Sequence, residues 1–102
     1  GRDTLQGGGG PDELFGNQLA DTIAGGDGND LVRGGNGRDT IFGGDGRDTL
    51  YGNRLADTIA GGNGNDRIYG GPGADTCNGE AGNNTITGCS ISLNMASEMT
   101  VF

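Results

Sequence analysis

Histidine, lysine and tryptophan are all absent from the 102 residues. Without histidine there is no side chain poised as a general base near neutral pH, and no imidazole for a zinc centre. Without lysine there is no P-loop. Only two cysteines occur, Cys77 and Cys89, which permits one disulfide or two thiols but no cysteine-rich metal site. No apolar run approaches the roughly 18 residues of a membrane-spanning helix, and no stretch reads as a signal peptide. Ser90, Ser92 and Ser97 have no partners for a catalytic triad. An EF-hand is excluded because no Asp-x-Asp-x-Asp-Gly loop is present. What remains is glycine, at 25 residues, and acid: 14 Asp and Glu against 6 Arg give a net charge of −8. Such a balance disfavours phosphate backbones and favours cations. No enzymatic constellation is left standing.

Glycine this abundant suggests collagen or disorder. Collagen fails because glycine does not recur at every third residue. A strict repeat argues against disorder. The stretch GGDGNDLVR-GGNGRDTIF-GGDGRDTLY, residues 25–51, is three versions of one nine-residue block, Gly-Gly-x-Gly-x-Asp-x-U-x, with U aliphatic. The register holds from residue 1 to residue 87. Position six reads Asp3, Asp12, Asp21, Asp30, Asp39, Asp48, Asp57, Asp66 and Asp75, then Asn84. Position eight reads Leu5, Leu14, Ile23, Val32, Ile41, Leu50, Ile59, Ile68, Cys77 and Ile86. Two independent columns in phase over the chain are not the product of low complexity. The pattern resembles the RTX family of calcium-binding nonapeptide repeats. That resemblance implies an all-β parallel β-roll, a β-solenoid in which two blocks make one 18-residue coil. It also implies a secreted protein that stays unfolded at low cytoplasmic calcium and folds outside the cell, in a structural, adhesive or secretion-related role.

The residues support such a roll on physical grounds. Glycines at positions one, two and four allow a six-residue reversal. The triplet x-U-x then forms a short strand with U inward and its neighbours outward. Coils stacked about 4.8 Å apart place residue n over residue n+18 and gather the turns into two edges. Edge A holds turns 7–12, 25–30, 43–48, 61–66 and 79–84; edge B holds 16–21, 34–39, 52–57 and 70–75. Each edge is a ladder of carboxylates one rung apart, and at an effective dielectric near 20 two such charges repel by about 3.5 kcal/mol. A core of ten small side chains does not offset both that repulsion and the ordering of so much glycine, so a cation is required. Calcium suits a site of carboxylates and backbone carbonyls; magnesium keeps its waters and fits less well. About four Ca²⁺ or more would offset the net charge of −8.

The expected ligands on edge A are Gly8, Gly10 and Asp12; Gly26, Asp27, Gly28 and Asp30; Gly44, Asp45, Gly46 and Asp48; and Gly62, Asn63, Gly64 and Asp66. On edge B they are Asp21; Gly35, Asn36, Gly37 and Asp39; Asp57; and Gly71, Gly73 and Asp75. Edge A follows the repeat closely. Two edge-B turns, GNQLAD and GNRLAD, carry Leu19 and Leu55 where glycine is expected, and a β-carbon there threatens the carbonyl geometry.

The chain divides into a roll, 1–87, and a C-terminal cap or docking strand, 88–102. GRDTLQ starts inside a turn in full register, so a preceding segment is expected. In the tail, Ile91, Leu93 and Met95 alternate like a strand, and Met99, Val101 and Phe102 add apolar weight. Solenoids need an atypical end unit to cover the core, and a Cys77–Cys89 disulfide would pin it, implying an oxidising, extracellular setting. Outward on one sheet stands the row Phe15, Arg33, Tyr51 and Tyr69, either cross-strand stacking or a contact surface for another copy. Outward on the other stands a threonine ladder, Thr4, Thr22, Thr40, Thr58 and Thr76, interrupted alongside by Phe42. Two further readings follow: a subunit stacked end to end into an extracellular filament or layer, and an ice-binding solenoid.

Overall fold

A computed structural model of the chain describes residues 4–93. Among them every regular element is a three-residue strand: β1 (Thr4–Gln6), β2 (Glu13–Phe15), β3 (Thr22–Ala24), β4 (Leu31–Arg33), β5 (Thr40–Phe42), β6 (Thr49–Tyr51), β7 (Thr58–Ala60), β8 (Arg67–Tyr69), β9 (Thr76–Asn78), β10 (Thr85–Thr87) and β11 (Ile91–Leu93). Each strand is one x-U-x triplet, and successive triplets fall alternately into two parallel sheets. The first sheet runs β1-β3-β5-β7-β9-β11; the second runs β10-β8-β6-β4-β2. Partners are 18 residues apart throughout the repeat, as in Ile23 on Ile41 and Val32 on Leu50. The chain is a β-solenoid.

The position-eight column faces inward between the sheets. Ile23, Val32, Ile41, Leu50, Ile59, Ile68 and Cys77 are completely buried, flanked by the half-buried Leu5, Leu14, Ile86 and Cys89. Each such side chain contributes about 1.5–3 kcal/mol by leaving water. The turns follow from backbone geometry. Positions two and four take positive φ, for example 90° at Gly26 and 103° at Gly28, a region glycine enters without penalty. Backbone hydrogen bonds continue from coil to coil at the turn corners: Thr40 N–H donates to Asp21 O at 2.8 Å, and Gly25 N–H to Phe42 O at 2.8 Å.

The end of the roll departs from the period. Three residues, 88–90, connect β10 to β11, where six connect the strands before them. Strand β11 pairs in parallel with β9 of the same chain, Ile91 over Thr76. An odd shortening exchanges the faces of a strand. Ser92 therefore pairs in register with Cys77 but is itself exposed, and Ile91 is 54% exposed. Cys89 fills the place left behind. It packs against the core and is disulfide-bonded to Cys77, with their Cα atoms 6.1 Å apart. The expected contributions of Met95, Met99, Val101 and Phe102, and of Asp3 at the other end, lie outside the described residues.

On the outer faces the threonines align in register from Thr4 to Thr76. Phe42 rises between Ala24 and Ala60, 47% exposed. On the second sheet the aromatic row stacks on itself. Tyr51 and Tyr69 lie 4.8 Å apart and nearly parallel, and the Arg33 guanidinium sits between the rings of Phe15 and Tyr51, 5.8 and 5.3 Å from their centres.

Candidate metal centre

Each turn delivers its position-six aspartate to the interior. Asp21, Asp30, Asp39, Asp48, Asp57, Asp66 and Asp75 are no more than 3% exposed, and Asp12, in the first complete turn, is half-buried. Their Oδ1 atoms do not serve local turns. Asp48 Oδ1 accepts from the backbone N–H of Asp30 at 2.9 Å, Asp66 Oδ1 from Asp48 at 2.8 Å, and Asp57 Oδ1 from Asp39 at 2.8 Å. The same link joins Asp12 to Asp30, Asp21 to Asp39 and Asp57 to Asp75. Asp30, Asp39, Asp48, Asp57, Asp66 and Asp75 thus each tie their coil to the one before.

The second oxygen is different. Oδ2 of Asp12, Asp30, Asp39, Asp48, Asp57, Asp66 and Asp75 is buried with no hydrogen-bond partner, an arrangement that costs free energy unless something else compensates it. Its neighbourhood is open because position one is glycine. A β-carbon on Gly43 would lie 2.6 Å from Asp48 Oδ2 and 2.6 Å from the carbonyl oxygen of Gly61 in the next coil; at Gly16 it would lie 2.6 Å from Gly34 O. Carboxylate and carbonyl oxygens converge on this cradle.

Residue 84 shows what the cradle asks for. Asn84 keeps the inter-coil bond, its Oδ1 accepting from Asp66 N–H at 2.7 Å. Its Nδ2 occupies the place of the second carboxylate oxygen and donates toward Glu80 O at 3.4 Å and Ala81 O at 3.5 Å. An amide nitrogen can satisfy those carbonyls. A carboxylate oxygen in the same place faces acceptors with no hydrogen between them, and needs a proton or a cation. Accordingly, burial pushes the carboxyls of Asp48, Asp57 and Asp66 up to about 7, with the charges of stacked or adjoining carboxylates adding to the effect. Burial also raises those of Asp30, Asp39 and Asp75.

The other expected ligands fall into two groups. Gly10, Gly28, Gly46 and Gly64 on edge A stack with each carbonyl aimed at the place a β-carbon would take on the glycine of the next coil, as are the carbonyls of Gly8, Gly26 and Gly44, the last received by Gly62. On edge B, Gly35, Gly37, Gly71 and Gly73 receive the carbonyls of Asn17, Leu19, Asn53 and Leu55 in the same manner. Leu19 and Leu55 both have φ of 71°. They follow the glycine path and keep its carbonyl direction, at a strain of about 1–2 kcal/mol each. By contrast Asp27, Asp45, Asn36 and Asn63 lie exposed on the rim, where the Asn63 amide donates to Asp45 Oδ1 at 3.0 Å. Among the described residues no three His, Cys, Asp or Glu side chains converge on one point. The donor set is one buried carboxylate per turn together with main-chain carbonyls, which suits a hard cation of flexible geometry.

Sequence reasoning gave the position-one glycines only a part in the turn, and passed over position five. Position one is glycine in every block from Gly7 to Gly79, even in GNQLAD and GNRLAD where the other glycines are lost; that constancy was the available signal for the cradle. Asn29 and Asn65, at position five, accept from the backbone N–H of Arg47 and Asn83 at 2.8 and 2.9 Å and reinforce the stack.

A parallel solenoid whose two edges carry buried, half-satisfied carboxylate ladders is a cation-binding β-roll. The RTX calcium-binding nonapeptide repeat matches the chain at residues 1–32, 15–50 and 51–86, and the chain belongs to that family. No curated protein and no solved structure matches it. RTX repeats bind Ca²⁺ and are structural rather than enzymatic modules.

Proposed function

We propose that this chain is the calcium-dependent roll of a secreted protein, unfolded where calcium is scarce and folded outside the cell, with a structural, adhesive or secretion-related role. The observation that carries the reading is the buried Oδ2 of Asp12, Asp30, Asp39, Asp48, Asp57, Asp66 and Asp75, set beside main-chain carbonyls with no donor to satisfy it. When bound, Ca²⁺ would supply the positive charge that these oxygens lack. Asp12, Asp30, Asp48 and Asp66 would hold it on edge A, and Asp21, Asp39, Asp57 and Asp75 on edge B, with carbonyls of the glycine positions completing each site. About four ions or more are expected from the charge of −8. The Cys77–Cys89 disulfide supports an oxidising compartment.

Calcium titration followed by circular dichroism tests this. A secretion-coupled roll should fold with a midpoint of about 10⁻⁴–10⁻³ M, the range of extracellular calcium modules, and magnesium at equal concentration should not replace it. A submicromolar midpoint would contradict folding outside the cell.

A further inference from the structure

The edges differ in the charge they show to solvent. Edge A exposes Asp27, Asp45 and, in its last turn, the half-buried Glu80. Edge B exposes no acid: its aspartates are all buried, and its exposed polar side chains are Asn17, Gln18, Asn36, Arg38 and Arg54. Where edge B meets the second sheet, an open groove of about 440 Å³ is lined by Phe15, Asn17, Arg33, Asn36, Asn53 and Arg54. This lies within the size range of small-ligand sites. In a chain of net charge −8, the groove holds two arginines, three asparagines and no carboxylate.

Nothing within the described residues uses up those arginines. Neither Arg33 nor Arg54 forms an ion pair there. Arg33 is held in place by the rings on either side of it, so its fork is oriented in advance, which lowers the cost of engaging an oxyanion. The asparagine amides donate and accept, which suits hydroxyl groups. Phe15 is 45% exposed and offers an apolar surface at one end. The asparagines come from three successive coils, so the groove is built for an extended ligand crossing several rungs. It has no closed apolar pocket of the kind that anchors a protein partner.

We infer that this groove binds an anionic carbohydrate, a carboxylate-bearing glycan whose acid groups meet Arg33 and Arg54 and whose hydroxyls meet the asparagines. One aspect rests on the calcium reading. Asp21, Asp39, Asp57 and Asp75 stand behind the groove, and Ca²⁺ bound there offsets their charge, so anion affinity rises with calcium loading.

The test uses fluorescence-labelled tetragalacturonate on the whole chain, with circular dichroism on the same samples. In calcium the probe is expected to bind, more weakly as salt increases, with cellotetraose failing to compete. The double variant Arg33→Gln/Arg54→Gln should lose affinity about 10- to 100-fold, as for charge-assisted hydrogen bonds, and Phe15→Ala several-fold. Arg47→Gln/Arg67→Gln, the same change in net charge elsewhere, should lose little. Equal losses from the two double variants, equal binding of cellotetraose, or tighter Arg33/Arg54-dependent binding of a single-stranded DNA oligonucleotide would each overturn the inference. So would a roll that folds in calcium yet leaves the probe unbound, and that outcome leaves the calcium reading intact. If the roll forms equally well in EDTA, the calcium reading fails instead, and the metal-free roll must then bind the probe for the groove assignment to stand.

Discussion

Asp48→Asn places in the middle of edge A the group that residue 84 already carries. The Oδ1 bond from Asp30 N–H at 2.9 Å is retained. The new Nδ2 meets the carbonyls of its own turn as Asn84 Nδ2 meets Glu80 O and Ala81 O at 3.4 and 3.5 Å. Without metal, Asp48 is a buried carboxylate moved from an ordinary value of 3.8 to about 7. At pH 8 that displacement corresponds to a penalty of order 4 kcal/mol on the folded state, which the amide removes. In EDTA at pH 8 the variant should therefore be more ordered than the parent by circular dichroism. In calcium it should bind at least one ion fewer by isothermal titration calorimetry. Asp48→Ala separates charge from hydrogen bonding: it also removes the charge but orphans Asp30 N–H, and should fall below Asp48→Asn by about 1–3 kcal/mol. An Asp48→Asn protein that is no more ordered in EDTA and binds calcium with unchanged stoichiometry and affinity would refute the reasoning.

Other outcomes follow from the same geometry. Carboxyls raised in the folded state hold protons that the unfolded chain releases, so the metal-free roll is most stable in acid and loses that stability as pH rises from about 4 to about 7; chemical denaturation in EDTA across that range checks the sign, and the calcium midpoint should rise as pH falls through 7. Gly43→Ala puts a β-carbon 2.6 Å from Asp48 Oδ2 and should weaken calcium-induced folding strongly, whereas Gly9→Ala meets nothing within 4 Å and should be neutral in the same titration. Reduction of Cys77–Cys89 should cost about 3 kcal/mol, with faster hydrogen exchange confined to β9–β11. Leu19→Gly and Leu55→Gly relieve φ of 71° and should each raise the thermal midpoint, by up to about 1 kcal/mol of stability after the flexibility of glycine in the unfolded chain is counted.

The roll was legible because its two columns obey different physics. Aliphatic residues from Leu5 to Ile86 must face inward, and aspartates from Asp12 to Asp75 sit where a turn closes, so period and parity gave strands, sheets and register together. The ligand set was legible only as residue types. Which oxygen of Asp48 is tied to Asp30 and which is left facing carbonyls depends on contacts 18 residues apart, invisible to a turn read locally. The role of Gly43 and its counterparts was hidden for the same reason, since the clash a β-carbon would meet lies partly in the next coil. Leu19 and Leu55 looked disruptive because a β-carbon there threatened the carbonyl geometry; both take the positive φ of the glycine path, and the strain is local. The shortened turn at 88–90 has no period to announce it, so the pairing of Ser92 with Cys77 was beyond the pattern.

Far-UV circular dichroism of the exhaustively chelated protein at pH 8, before and after readdition of calcium, addresses the central claim most directly: bound cation, and not the narrow apolar interior, closes the roll. The account predicts a largely unordered spectrum that converts to β on calcium addition and reverts with EDTA. Full β structure persisting after chelation would contradict it.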